Sequence, residues 1–400
     1  MKVLQINATY GYLSTGLIVK DIGQVIKDNG DEAFFAYQTT NEKVENGYCV
    51  GNKLDWKIHA VLARLLGRQA YHSKGATRKF LKYLDEINPD VVHLHNLHSN
   101  YINLNMLLDY LAKKDIATVI TMHDCWYFTG KCFHYIDVGC DRFTKGCGNC
   151  PKQKAPQSSF FFDRSADVVK DREKYLTAIP RLKFVGCSQW ICNEAKKGFL
   201  QGADISAVWN GLNTEIFKPR DKTQLKKQND CENKFVIMGM ANKWLLPANK
   251  TLLERTLEEI KGNEILMIVG CKDEHKEELK KFGDKVKAIG FITDREKLAE
   301  CYSMADVFVN PTHADTLPTV NMESICCGTP VVTYDVCGSS ELILDGCGEV
   351  VPENDVEGII SAFRKITGED CAAIGANAFD RKNSYKKYLD IYGDVLRKDV

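Results

Sequence analysis

Two carboxylates eight positions apart, Asp315 and Glu323, stand in the stretch NPTHADTLPTVNMESICCGTPVV that runs from Asn310 to Val332. The apolar run DVFV leads into it, so the segment reads as a buried strand, a polar loop and then a helix. Asp315 then falls in the loop at the strand's carboxyl end, and Glu323 about two turns along a helix beginning near Pro318. From there they could grip two parts of one bound molecule. The helix start would add unpaired backbone N–H groups and the positive end of its dipole, which favour a phosphate. A sugar nucleotide offers a charged diphosphate together with hydroxyl-rich rings, and carboxylates accept hydrogen bonds from hydroxyls. An ordinary strand–loop–helix unit with solvated acids fits the same spacing.

Cys132, Cys140, Cys147 and Cys150 form a second constellation, C-x7-C-x6-C-x2-C. The closing pair has knuckle spacing, so four thiolates could hold a structural zinc that staples the loop; free thiols or a disulfide are the alternatives. His93 and His95 alternate onto one face of the run VVHLHNLH, placed to ligate a metal or to be satisfied polar groups at a strand end. His123 and Asp124 close the run TVITMHD, again at a carboxyl end. Gly11, Ser14, Thr15 and Gly16 follow the first strand, where they could let the backbone approach a phosphate and cap the next helix, although no GxGxxG is present. Lys243 and Lys250 follow the run FVIMGM and could neutralise a diphosphate as point charges.

The elements that must position these residues alternate strand and helix signals throughout. Strands are predicted over 3–6, 32–37, 91–98, 118–126 and 184–188, and again over 235–240, 265–270, 286–291, 306–311 and 330–335. Helices are predicted over 17–27, 165–176 and the end of the chain from Glu369 to Lys398, where Tyr385, Tyr388, Ile391, Tyr392 and Leu396 make an apolar stripe. The turn Asn210-Gly211, Pro219 and the polar run RDKTQLKKQNDCENK mark a linker. Two consecutive doubly wound α/β domains follow, with the ligand expected between them. Residues 56–83 form two helical segments rich in Lys and Arg, which suit either an anionic membrane face or a solvated surface.

Composition limits the functional classes. Lys plus Arg equals Asp plus Glu at 53 each, so nothing in the balance points to nucleic acid. The first residues, MKVLQINATYG, lack the apolar core of a secretory signal, and no apolar run reaches membrane-spanning length. A cytoplasmic protein with reduced cysteines is expected.

These residues carry a resemblance. Asp315-x7-Glu323 followed by CGTPVV (327–332) resembles the Glu-x7-Glu signature of family 4 glycosyltransferases of the GT-B fold, and the likeness covers nearly the whole chain. The STG loop, Met122-His123-Asp124, NGLNTEIFKP and GSSELILDG match as well. PDVVHLHNLH, HDCWYFTGKC and CGNCP are similar to the subgroup that builds bacterial exopolysaccharide, capsule and O-antigen repeats.

The resemblance implies a GT-B fold with an acceptor-side domain over 1–218 holding a Cys-rich loop at 125–160. A nucleotide-sugar domain over 233–380 and a helix over 381–400 returning to the first domain complete it. It implies retaining, metal-independent transfer from a nucleoside-diphosphate sugar to a saccharide or polyprenyl-linked saccharide, so any zinc held by the four cysteines would have a structural role. The protein would be cytoplasmic, and peripheral contact with the inner face of the membrane through 56–83 is one of the two readings that those basic helices leave open. In this carry-over Glu323 accepts the ribose hydroxyls, Asp315 holds hydroxyls of the transferred sugar, and Thr316, Leu317, Pro318 and Thr319 lie near the diphosphate. Lys250 matches the family's phosphate-binding lysine; the partner Arg is missing, and Lys243 is its nearest stand-in. Gly16 approaches the phosphate or acceptor, His123 lies near the anomeric carbon, Ile289 and Phe291 meet the base, and Asn210 joins the donor contacts. A GT-B epimerase, which would need acid and base carboxylates, and a non-catalytic sugar-nucleotide-binding subunit are the alternatives.

Overall fold

In a computed structural model that describes residues 1–155, 158–366 and 371–397, the apolar runs of the first half pair in parallel. They are β1 (Lys2–Tyr10), β2 (Glu32–Thr40), β3 (Gly47–Cys49), β4 (Val91–Leu94), β5 (Ala117–Met122), β6 (Leu182–Gly186) and β7 (Ile205–Ala207). Their order across the sheet is β3-β2-β1-β4-β5-β6-β7. Every residue of β4 and β5 is buried, because crossover helices cover both faces of a parallel sheet. The strand order reverses between β1 and β4, and β1 leads into α1 (Leu13–Asp28).

The second half repeats the plan with β8 (Phe235–Met240), β9 (Glu264–Cys271), β10 (Val286–Gly290), β11 (Val307–Asn310), β12 (Val331–Tyr334) and β13 (Gly348–Val351). Their order is β10-β9-β8-β11-β12-β13, again all parallel, and the reversal lies between β8 and β11.

The chain divides into one unit of Met1–Trp209 with Lys382–Val400 and another of Asn210–Arg381. The division falls before the polar run rather than in it. Within that run Lys222–Gln228 is a helix, and Lys226 Nζ reaches Asp306 Oδ2 at 2.6 Å, which fixes the segment to the second unit. The last helix, Arg381–Arg397, buries Tyr385, Tyr388, Ile391 and Tyr392 in the core of the first unit beside Val3, Ile22 and Val119.

Residues 156–157, 367–370 and 398–400 lie outside the described residues; they include part of the Cys-rich loop and Glu369 and Lys398 of the expected terminal helix. Among the described residues no helix is long and apolar enough to cross a membrane.

Two local expectations are corrected. α1 begins at Leu13, so Ser14 and Thr15 lie inside its first turn; Tyr12 holds the cap position without a side-chain bond. β4 stops at Leu94, leaving His95 and His98 in the loop.

Candidate functional site

The reversal in the second sheet brings two chain ends together. β8 runs into the short helix Ala241–Trp244, and β11 runs into the loop from Pro311 to Pro318. Lys243 Nζ donates to Thr312 Oγ1 at 2.8 Å and lies 3.4 Å from Asp315 Oδ2. A buried scaffold sets that meeting. Trp244 Nε1 donates to Val309 O at 2.9 Å, and Gly239 makes room for the indole, since a Cβ there would sit 1.9 Å from Nε1. Asn249 Nδ2 donates to Lys243 O at 2.9 Å and to Pro311 O at 2.7 Å, tying both ends to one amide.

Behind the loop, Asn310 Nδ2 donates to Asn321 Oδ1 at 2.8 Å, and Thr333 Oγ1 donates to Asn310 O at 2.9 Å. This ladder anchors the helix Thr319–Cys326, whose cap residue Pro318 offers no side-chain bond to the first turn. Thr316, Leu317 and Pro318 are buried and Thr319 is half-buried. Glu323 is nearer the helix start than the spacing suggested, about one turn in. It is buried, and Tyr302 Oη donates to its Oε2 at 3.1 Å. Burial pushes the carboxyl up to about 7, against the opposing pull of Arg295 and the Tyr302 hydroxyl.

The other expected donor residues of this unit are more scattered. Lys250 opens the next helix with its side chain 74% exposed and its Nζ 3.8 Å from Glu254, so Lys243 is the lysine brought against Asp315. Phe291 follows β10 at 83% exposure, and Ile289 is half-buried in that strand. Asn210 is buried, and the adjoining Leu212 bridges Asp380.

In the first unit, a relay of side chains sets one imidazole. Gln5 Nε2 donates to Val19 O at 3.0 Å, which turns the amide oxygen to His95 Nε2 at 3.2 Å. That nitrogen must therefore carry a hydrogen, leaving His95 Nδ1 as an acceptor. His123 Nε2, 3.0 Å away, is then the donor. His123 Nδ1 remains a buried lone pair with no partner among the described residues. Burial lowers the His123 pKa to about 4, which keeps the ring neutral. The neighbouring Asp124 Oδ1 accepts from Trp126 N at 2.9 Å, and its Oδ2 lies 3.2 Å from His98 Nε2. His93 is a satisfied polar group, bonded to Tyr392 Oη at 2.8 Å and Thr121 Oγ1 at 2.7 Å. Gly16, in α1, packs against the end of β1, since a Cβ would come 2.8 Å from Thr9 Oγ1.

In the cysteine loop, Cys132 and Cys150 are close enough to interact, and that pairing holds Cys150 below the ordinary thiol range. Cys147 Sγ accepts from Gly130 N at 3.3 Å. Among the described residues no three His, Cys, Asp or Glu side chains are gathered as a metal-holding group.

The comparisons with known proteins agree with this architecture. A family described as Glycosyltransferase Family 4 matches residues 18–216, and one described as Glycosyl transferases group 1 matches residues 224–368. The chain belongs to the family 4 glycosyltransferases. Its fold is GT-B: this glycosyltransferase superposes on sucrose-phosphate synthase from Thermosynechococcus elongatus with a TM-score of 0.68 at 14% identity, covering 100% of both chains. The Anabaena protein HepE, in complex with UDP, gives a TM-score of 0.65 at 15% identity, covering 98% of this chain and 100% of that one; it has also been solved with UDP-glucose. WcaC of Escherichia coli (strain K12), named for colanic acid biosynthesis, is 24% identical over 283 residues, 67% of this chain and 65% of its own length. The match therefore spans just under two thirds of that relative.

Sequence reasoning missed Thr312, Tyr302, Asn249 and Gln5 in this glycosyltransferase. Two of them left a signal: Thr312 is a polar residue just past a strand's carboxyl end, and Gln5 interrupts an otherwise apolar buried strand. Tyr302 and Asn249 lie on other elements and become partners only through the fold.

Proposed function

We propose that this glycosyltransferase moves a sugar, with retention, from a nucleoside-diphosphate sugar to a saccharide or polyprenyl-linked saccharide during cell-surface polysaccharide synthesis. The observation that carries the reading is the Lys243–Thr312–Asp315 constellation at the strand-order reversal. Open α/β sheets bind their ligands outside the carboxyl ends of strands at such a point. The UDP and UDP-glucose complexes of HepE support a nucleotide-sugar donor, and the name of WcaC supports a polysaccharide product.

In this reading Lys243 neutralises the charge that develops on the departing diphosphate, and Asp315 holds hydroxyls of the transferred sugar. The backbone of Thr316–Thr319 faces the diphosphate, and Lys250 is a second, outer cation. Glu323 accepts the ribose hydroxyls, with Ile289, Phe291 and Asn210 completing the donor site. His123 presents its Nδ1 lone pair to a hydroxyl of the reacting sugar, and Gly16 lets the first-unit backbone approach. The enzyme works at the cytoplasmic face of the membrane that anchors its acceptor. A structural zinc at Cys132, Cys140, Cys147 and Cys150 belongs to the same proposal, supported by the spacing and by the Cys132–Cys150 contact.

A thermal-shift screen of nucleotide sugars tests the donor site, because a ligand that binds only the native state raises Tm. One selective donor is expected to raise Tm and to be consumed when acceptor is added. Lys243→Ala should lower kcat/KM roughly 100-fold, the scale of losing one charge-stabilising group, and Lys250→Ala much less. No shift with any nucleotide or nucleotide sugar overturns the reading.

A further inference from the structure

The helix α2 (Lys53–Leu66) turns its apolar residues the wrong way for a globular fold. Leu54, Ile58, Val61 and Leu65 are exposed, Leu54 at 66%, while His59 is the helix's fully buried residue. At 3.6 residues per turn those four fall within an arc of about 60°. The face that meets the domain lies opposite, carrying Trp56, whose Nε1 donates to Val50 O at 2.9 Å, and His59, whose Nδ1 bonds Ser73 Oγ at 2.8 Å. Lys53, Lys57 and Arg64 line one flank of the apolar arc and are exposed.

A second exposed apolar segment, distant in sequence, meets the helix at its end. Phe160, Phe161 and Phe162 are consecutive and exposed, Phe161 at 68%, and Phe160 N donates to Arg64 O at 2.8 Å at the helix's end. Gly67 ends the helix at φ +69° and leaves space for this loop, since a Cβ there would sit 2.4 Å from Phe162 O. Arg164 lies over the Phe162 ring at 5.4 Å. Between helix and loop is a cavity of about 50 Å³ bordered by Arg64, Lys131 and Arg164 with Asp163. The nearby acid Asp167 is already paired with Arg68 and Arg164.

We propose that α2 and the Phe160–Phe162 loop are one docking surface for an anionic phospholipid bilayer, with the apolar arc entering the acyl boundary and the flanking cations meeting headgroup phosphates. Apolar exposure of this extent on a folded domain marks an interaction site. Its bordering cations select a negatively charged, apolar-cored partner, which an interfacial helix with a basic flank is built to meet. The basic helix that follows, α3 (Lys74–Ile87), is not part of it: its apolar residues Phe80 and Leu84 are buried. The proposal locates the membrane contact of the transferase reading and stands on geometry independent of the donor site.

The test sediments the purified full chain with vesicles of phosphatidylcholine alone and of phosphatidylcholine with one third phosphatidylglycerol. Binding to the anionic vesicles that weakens as salt rises is expected, with little to the neutral ones. Ile58→Ser with Val61→Ser, and separately Phe160→Ser with Phe161→Ser, should each weaken partitioning at least tenfold. Lys57→Glu with Arg64→Glu should do the same for the anionic vesicles. The replaced side chains are exposed, so each variant should keep the parent's Tm and its Tm shift with the nucleotide donor, separating loss of docking from loss of the donor site. Equal sedimentation with and without lipid, equal binding to neutral vesicles, or a lipid-free dimer that Ile58→Ser with Val61→Ser dissolves would each overturn the proposal, the last by assigning the surface to a second copy of the chain.

Discussion

Glu323 is a carboxyl that the fold holds out of water, with its pKa near 7 against an ordinary 4.5. Between those two values the folded state binds more protons than the unfolded one, so stability falls as pH rises from about 5 through 7. The loss is at most about 1.4 kcal/mol per pH unit and on the order of 3 kcal/mol in all. Ribose hydroxyls donate best to the ionised form, so nucleotide affinity should move the opposite way, rising through pH 7 and then levelling. Glu323→Gln should flatten both profiles relative to the parent. Parallel Tm and nucleotide titrations from pH 5.5 to 8.5 would check this, and a parent whose profiles match those of the Gln variant would refute it.

The cysteine loop shows how an irregular element is held in place. Arg172 is buried on the Trp126 ring at 3.9 Å and donates to Trp126 O and Thr129 O, pinning the loop's entry. Lys152 Nζ reaches Asp137 Oδ2 at 2.6 Å, and Cys150 N donates to Asp163 Oδ2 at 2.7 Å, holding its exit. Zinc would add to this by drawing Cys140 and Cys147 onto the Cys132–Cys150 pair. One equivalent of zinc per chain is expected in metal analysis, with a fall in Tm on chelation because ligands of a structural site help to fold it. Metal-free protein whose Tm ignores chelator would refute it. Elements of this kind were the least legible in the sequence. The long apolar strands announced themselves because burial on both faces demands continuous Val, Ile and Leu, but β3 and β13 are only three and four residues long and largely exposed, and gave no such pattern. Asp315 was legible from its place after a strand. The choice of Lys243 over Lys250 as its neighbour was not, because seven positions of separation say nothing about which side chain turns inward.

At the scale of the whole molecule, the chain leaves its first unit at Trp209 and returns to it at Lys382. The last helix therefore belongs to a core whose other members come from the first half, and its tyrosines complete polar as well as apolar contacts there. Tyr392 Oη bonds His93 Nδ1, and Tyr388 Oη bonds Thr121 Oγ1 at 2.9 Å, on the two strands whose carboxyl ends lead into His95 and His123. Removing one hydroxyl should leave a buried partner unsatisfied at a cost of about 1–3 kcal/mol. Tyr392→Phe should thus lower Tm by a few degrees while the domain still folds. Ending the chain at Arg381 is far harsher, since it uncovers the cluster around Val3, Ile22 and Val119 and deletes six buried side chains at once, Ser384, Tyr385, Tyr388, Ile391, Tyr392 and Val395. The truncated protein is expected to be insoluble or to melt at least 10 °C lower, on the scale of several kcal/mol lost from a marginal total. The second unit, Asn210–Arg381, keeps its whole sheet in that truncation. A fragment of those residues alone should therefore still fold and still raise its Tm with nucleotide, a result that circular dichroism and thermal shift on the isolated fragment would check. An unfolded fragment would show instead that the second sheet depends on the first.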